Sequence, residues 1–256
     1  MIKLILPLLI FCSTVYAQPD SSKNSIAIIH EQNHFDKQFS NPWFATSLQY
    51  KRKMHFGTAI ARVTAANRFN KSGMQFEAEA YPKLGKKAYA YVAAAYSNDV
   101  PVFSKWRTGA TVYLPLSKGW EPEIGYRQLH FDQSIWLGTA GVSKYAGSWL
   151  LNVRSFFSTK TPLSNGSVFI TARKYFKNEN DYLWLQAGKG ISPDEGRNIQ
   201  LNNGGELSSS RIAAGAKCSL TKKLQAQLSA GWSRDNYATN TFGNQYFGSA
   251  GLDIKF

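Results

Sequence analysis

From Leu224 to Ser233 the chain alternates without a break: Leu224, Ala226, Leu228, Ala230 and Trp232 fall on one side of an extended strand. Gln225, Gln227, Ser229 and Ser233 fall on the other. The same period of two sets Met74, Phe76, Ala78 and Ala80 against Gln75, Glu77 and Glu79. It returns at the end of the chain, where Ala250, Leu252, Ile254 and Phe256 oppose Ser249, Gly251, Asp253 and Lys255. No window approaches the roughly 18 consecutive apolar residues that a spanning helix needs. Only a closed barrel can then be integral to a membrane. A soluble all-β protein needs a dry core built from continuous apolar strand faces. These strands instead carry Ala, Gly and Thr on one face and Arg, Glu and Gln on the other, and a barrel whose polar side points inward needs no such core. The expected fold is all-β, a single-chain antiparallel transmembrane β-barrel.

The first residues fit that destination. Lys3, the apolar run Leu4–Phe11 and the small-residue pattern Val15-Tyr16-Ala17 read as a secretory signal peptide over 1–17, leaving 18–256 as the barrel domain. Cys12 follows Phe11, whereas a lipoprotein signal wants a small residue before the cysteine. Cleavage leaves Cys218 alone, a small apolar side chain in line with Ile212, Ala214 and Ala216. The formal net charge is +14. The basic residues are spread through strands and turns rather than gathered in a stripe, which argues against nucleic acid as a partner; with a signal peptide present, the readings left are binding to phosphates of lipopolysaccharide or acidic glycans and, ahead of it, solvated loop charge with no ligand.

Transmembrane strands of about 9–11 residues can be counted back from Phe256. They fall near 243–256, 224–235, 209–219, 181–190, 166–177, 148–158, 135–145, 120–131, 106–116, 88–97, 73–82 and 57–69. Residues 43–54 alternate as well, which makes the count odd, and bacterial barrels of this kind are even. Residues 24–32 restore the parity through a polar loop at 36–42. Fourteen strands are therefore favoured, with twelve as the alternative and both termini in the periplasm. The last strand ending in Phe256 resembles the signal read by the outer-membrane barrel assembly machinery. Trp106, Trp120, Tyr145, Trp149, Tyr175 and Tyr182 lie near strand ends, as expected of aromatic girdles.

Alternation places Arg62, Arg68, Glu77, Glu79, Arg107, Glu121, Glu123, Arg127, Arg154 and Arg173 on the polar, luminal face. Counting from a 70–73 loop sets Glu77 opposite Ala66 and diagonal to Arg68. These charges can close into an internal network or line a selective pore. The segment 191–208 is a long loop in which Ser192, Pro193, Asp194, Glu195 and Arg197 combine turn formers with both signs of charge, so it can fold over or into the mouth.

Catalytic and metal chemistry find little purchase. His130 is followed by Phe131-Asp132 with no serine two residues away, and His55 falls in a turn. His30 and His34 share one side of a strand without a third ligand. No catalytic residue, metal or cofactor is expected.

Several stretches together resemble the YaiO family of outer-membrane β-barrel proteins. They include Gln75-Phe76-Glu77-Ala78-Glu79-Ala80-Tyr81-Pro82, Lys144-Tyr145-Ala146-Gly147-Ser148-Trp149 and Arg173-Lys174-Tyr175-Phe176. Arg68-Phe69, Gly119-Trp120-Glu121, Gly125-Tyr126-Arg127, Asp181-Tyr182-Leu183-Trp184-Leu185 and Gly188-Lys189-Gly190-Ile191-Ser192-Pro193-Asp194-Glu195 complete the set. The resemblance implies the fold and the outer membrane of a Gram-negative bacterium, with no defined activity. Some relatives carry tetratricopeptide repeats or occur beside glycosyltransferases; this chain has no such repeats. The expected role is a non-enzymatic barrel that passes or binds a small or glycan-like solute, in contact with outer-membrane lipid and lipopolysaccharide. The alternatives are an accessory barrel for surface polysaccharide or lipopolysaccharide export or assembly, and a lipid-modifying enzyme.

Overall fold

The computed structural model describes residues 22–158, 166–176, 178–194, 196, 209–238 and 241–256, the last two residues of 209–238 by backbone alone. The proposed signal peptide lies outside the described residues. Fourteen strands follow one another: β1 (Asn24–Phe35), β2 (Trp43–Met54), β3 (Gly57–Arg68), β4 (Lys71–Leu84), β5 (Ala88–Tyr96), β6 (Trp106–Tyr113) and β7 (Trp120–His130). They continue through β8 (Ser134–Ala146), β9 (Trp149–Ser158), β10 (Gly166–Tyr175), β11 (Tyr182–Lys189), β12 (Ser209–Ser219), β13 (Leu224–Ala238) and β14 (Thr241–Lys255). Each pairs antiparallel with its chain neighbours, and β1 pairs with β14 to close the barrel. At the seam the Asn24 amide donates to the Phe256 carbonyl (3.1 Å) and the Phe256 amide to that of Asn24 (2.9 Å). Closure leaves no unpaired edge, the condition for a sheet in hydrocarbon.

The barrel has a terminal end, which carries Asn24 and Phe256, and a loop end. Outward positions are exposed and apolar along every wall, for example Ile26, Ile28, Leu48, Phe76, Ile124, Leu185, Leu252 and Ile254. Inward positions are of three kinds, arranged in layers from one end to the other. Lysines and tyrosines stand near the terminal end, arginines and glutamates across the middle, and buried apolar side chains near the loop end.

The apolar layer departs from the sequence expectation that no dry core is needed. Trp43 (2% exposed), Phe35, Leu129, Leu137, Phe156 and Phe169 all point inward near the loop end and are buried. Phe103 and Val102, from the connection between β5 and β6, fold against Ala45 and Ala66. Connections that turn into the mouth exclude water from inward positions, and an excluded position is best filled by an apolar side chain. The layer was hidden because one strand changes character along a single face: β7 runs Glu121, Glu123, Gly125, Arg127, Leu129.

A ring cluster anchors this layer. Trp43 lies 4.7 Å from Phe35, 4.4 Å from Phe39 and 4.5 Å from Phe69, centroid to centroid. Phe69 and Asn70 form the two-residue turn between β3 and β4 and both have positive φ, 57° and 59°, as a type I′ hairpin requires. A phenylalanine in that region is unusual, and the packing on Trp43 holds it there. Trp43→Ala is expected to cost about 3–5 kcal/mol. Thermal unfolding followed by heat-modifiable gel mobility checks this; an unchanged transition would contradict it.

That tight turn also corrects a register. Because Arg68 pairs with Lys71 across two turn residues, Glu77 pairs with Arg62 and not with Ala66, which pairs with Gly73. A loop over 70–73 is two residues longer than the turn that forms.

Candidate functional site: the charged lumen and its loop

All ten luminal candidates point inward. Arg62, Glu77, Glu79, Arg107, Glu123, Arg127 and Arg154 form a belt across the middle of the barrel, with Arg68 nearer the loop end and Glu121 and Arg173 nearer the terminal end. Glu77 sits at the hub on β4. Its carboxylate takes the guanidinium of Arg62 from β3 and that of Arg107 from β6, and its side chain is only 4% exposed. Arg62 also donates to Glu79 (3.0 Å) and Gln49 (2.8 Å). On the other side Arg154 grips Glu123 with two parallel hydrogen bonds, 2.5 and 2.7 Å, the strong bidentate form.

Missing Cβ atoms make room for these groups. A Cβ at Gly109 would lie 2.7 Å from Cδ of Arg127, its cross-strand partner, and one at Gly141 would lie 2.4 Å from Oε1 of Glu123. Arg127 can therefore lie flat along the wall, donating to Thr111 Oγ1 (3.0 Å), with its guanidinium 4.7 Å from the Tyr91 ring centre.

The loop after β11 enters this belt. Ile191 and Pro193 are buried, and the Asp194 amide donates to Ser192 Oγ (3.2 Å), which turns the chain inward. Asp194 Oδ1 then lies 3.5 Å from Nε of Arg127 and 3.8 Å from Nη1 of Arg107. Two residues on, the Gly196 carbonyl accepts from Arg68 (3.1 Å), which also donates to the Val102 carbonyl (3.0 Å). A Cβ at Gly196 would meet the guanidinium at 2.7 Å. Arg68 thus ties two inward-folded loops to β3. Ser192, Pro193 and Asp194 are brought to the belt; Glu195, Arg197 and the rest of the loop through 208 lie outside the described residues.

The aromatic girdle needs a correction. Trp106, Trp120 and Trp149 face outward, but Tyr145, Tyr175 and Tyr182 face the lumen. Residue parity decides this: Trp120 pairs with Lys144, so Tyr145 takes the inner face. With Tyr89 and Tyr113, stacked at 4.6 Å and 8° between planes, these tyrosines line the terminal end. Tyr89 donates to the carboxylate of Glu121 (3.1 Å), and Arg173 donates to the Tyr175 hydroxyl (3.1 Å) with its guanidinium 4.4 Å from the Tyr182 ring centre. Lys217, the cross-strand partner of Tyr182, and Lys51 reach the same oxygen of Asp253, at 3.5 and 3.8 Å. Tyr89, Tyr113, Lys51 and Lys217 are not among the residues that the sequence reading names, although the same alternation that locates the arginines locates them.

The histidines lie elsewhere. His30 and His34 face outward on β1, and His30 Nδ1 bonds Thr46 Oγ1 (2.9 Å). His130, also outward, pairs across the β7–β8 turn with Ser134, whose Oγ lies 2.9 Å from Nδ1, and its ring stacks on Trp106 at 3.8 Å. The partner serine lies four residues away, across a tight turn, and not two.

A closed fourteen-stranded antiparallel barrel with an apolar exterior and a charged interior is the architecture of outer-membrane barrel proteins. Solved structures are similar in fold, among them a bacterial polysaccharide outer membrane secretin at TM-score 0.55 and 8% identity, covering 92% of this chain and 99% of that one. The CymD monoaromatic hydrocarbon channel (TM-score 0.52, 8% identity, 92% and 89% covered) and the Acinetobacter baumannii outer membrane protein Omp33 (0.52, 8%, 91% and 99%) are similar to the same extent. At such low identity the likeness concerns the fold alone. The family model of the YaiO membrane beta barrel domain matches residues 23–195, and the chain belongs to that family. The match runs from the start of β1 into the inward-folded loop; β12, β13 and β14 follow it. No curated protein matches the sequence significantly.

Proposed function

We propose that the protein is a non-enzymatic outer-membrane barrel that passes or binds a small or glycan-like solute, with the luminal Arg–Glu belt selecting it and the loop around Asp194 restricting the passage. The observation that carries this reading is the Asp194 carboxylate standing between Arg107 and Arg127 inside the barrel. Porin-like selectivity is set where charged side chains crowd the lumen, and here the loop adds the Asp194 carboxylate at the level of the arginine and glutamate belt. The terminal end faces the periplasm in this reading and the loop end the exterior, the arrangement of short inner turns and longer outer loops found in such barrels. Lipid and lipopolysaccharide contact the apolar outer wall, and the assembly machinery meets the last strand with its outward Phe256. The His130–Ser134 pair is read as a structural cross-strand contact, because acyl transfer also needs an orienting group for the base and donors for an oxyanion.

Planar-bilayer recordings test the reading. The full chain is expected to give small, charge-selective currents, and a variant lacking 191–208 larger ones. Absence of conductance in both would remove the pore.

A further inference from the structure

We infer that the terminal end of the lumen is a binding vestibule for an acidic saccharide, an inference that rests on the transport reading and names its solute class. A side carrying Lys51, Lys217 and Lys255 faces a side carrying Tyr89, Tyr113 and Tyr145 there, and the two meet where Tyr182 pairs with Lys217 and Lys83 pairs with Tyr89. In a ring of fourteen strands, β14 and β7 are diametrically opposed. Within two strands of β14, and within three residues of the terminal ends, stand the inward Lys51 of β2, Lys217 of β12 and Lys255 of β14. Within two strands of β7, at the same end, stand the inward Tyr89 of β5, Tyr113 of β6 and Tyr145 of β8.

Among the described residues, the ion pairs of the lysine wall set three ammonium groups against two carboxylates. Lys51 and Lys217 share the single carboxylate of Asp253, and Lys53, one step nearer the rim, reaches only the exposed Glu179 at 3.7 Å. Such a surplus in a concave, partly dry site attracts anions. The tyrosine wall offers flat rings and hydroxyls. Tyr89 and Tyr113 lie parallel, partly open to the lumen, and Tyr145 is 44% exposed. Tyr89 is fixed by its bond to Glu121, so its ring is oriented before anything binds.

A ring face takes the C–H face of a sugar, a hydroxyl takes its alcohols, and an ammonium takes a carboxylate. A neutral sugar would use one wall and an inorganic anion the other. A saccharide bearing carboxylates uses both at once.

The test is calorimetric binding to the full chain in detergent micelles, with β-1,4-linked triglucuronate and cellotriose, which share rings and differ in carboxylates. Triglucuronate is expected to bind at least about tenfold more tightly than cellotriose. Lys51→Gln with Lys217→Gln should erase that difference, and Tyr89→Leu with Tyr113→Leu should weaken both sugars. Protection of Lys51 and Lys217 from amine methylation by triglucuronate, read by mass spectrometry on the unaltered chain, keeps the result independent of variant folding. Equal binding of the two sugars, binding that survives both pairs of substitutions, displacement of triglucuronate by equimolar sulfate, or no binding at all would each overturn the inference. A barrel that binds triglucuronate but carries no current fails the pore reading and leaves the vestibule standing. One that conducts and binds no triglucuronate does the reverse.

Discussion

Replacing Glu77 by leucine is expected to lower the stability of the barrel by about 3 kcal/mol, the lower end of what breaking a buried ion pair costs. The carboxylate is the meeting point of two guanidiniums from strands on either side of it, and its loss leaves both without their main partner. The effect is unequal. Arg62, about a quarter exposed, keeps Glu79 and Gln49. Arg107, only 14% exposed, keeps among the described residues the Asp194 carboxylate at 3.8 Å and carries most of the penalty. Two companion variants separate charge from shape. Glu77→Gln preserves the volume and still removes the charge, so it should remain clearly destabilising. Glu77→Leu combined with Arg107→Leu should recover much of the loss, because it removes the stranded cation as well. Urea titration of refolded barrels, followed by heat-modifiable mobility, measures all three. A loss below about 1 kcal/mol for Glu77→Leu would mean that the lumen hydrates the guanidiniums as well as the carboxylate did.

The second large effect concerns passage. Asp194→Ala is expected to raise mean single-channel conductance, and Asp194→Arg to raise it further. The first removes two ion pairs, and the second sets a third guanidinium beside two others. Asp194 is 40% exposed on its side chain, so solvent screens the pairs and the latch they form is worth about 1 kcal/mol. That corresponds to about a fivefold shift between the held and released loop. The Gly196 carbonyl remains on Arg68 in both variants, so deletion of 191–208 should exceed either point change. Raised salt should reproduce part of the Asp194→Ala effect in the unaltered barrel and little of it in the variant. Conductance unchanged by Asp194→Arg would show that the loop does not limit the passage.

The barrel itself was legible in the residues because its signal is carried by many weak repeats that must agree. A single alternating stretch such as 224–233 proves little, but counting back to residues 24–32 with the parity rule fixed all fourteen strands. The luminal arginines followed from the same alternation. What failed were steps that required knowing a turn. Glu77 was set opposite Ala66 because nothing in Arg68-Phe69-Asn70-Lys71 announces a two-residue turn, when its first central residue is a phenylalanine held at positive φ by Trp43. Tyr145 and Tyr182 were assigned to the membrane interface because position along a strand was used where parity was the deciding variable. The dry layer beneath the loops escaped entirely. Ala45 and Ala66 are inward residues buried against Val102 and Phe103 from a connection elsewhere in the chain, and a strand pattern carries no record of its cover.

The position of Asp194 has a further meaning if the solute is acidic. Its carboxylate then occupies at Arg107 and Arg127 the place that an incoming carboxylate would take. Entry becomes a substitution of one anion for another at a pair of guanidiniums, with the number of charge contacts conserved. The loop acts as a resident competitor for its own site. A neutral solute of the same size, with nothing to offer those two arginines, would have to break the contacts without replacing them.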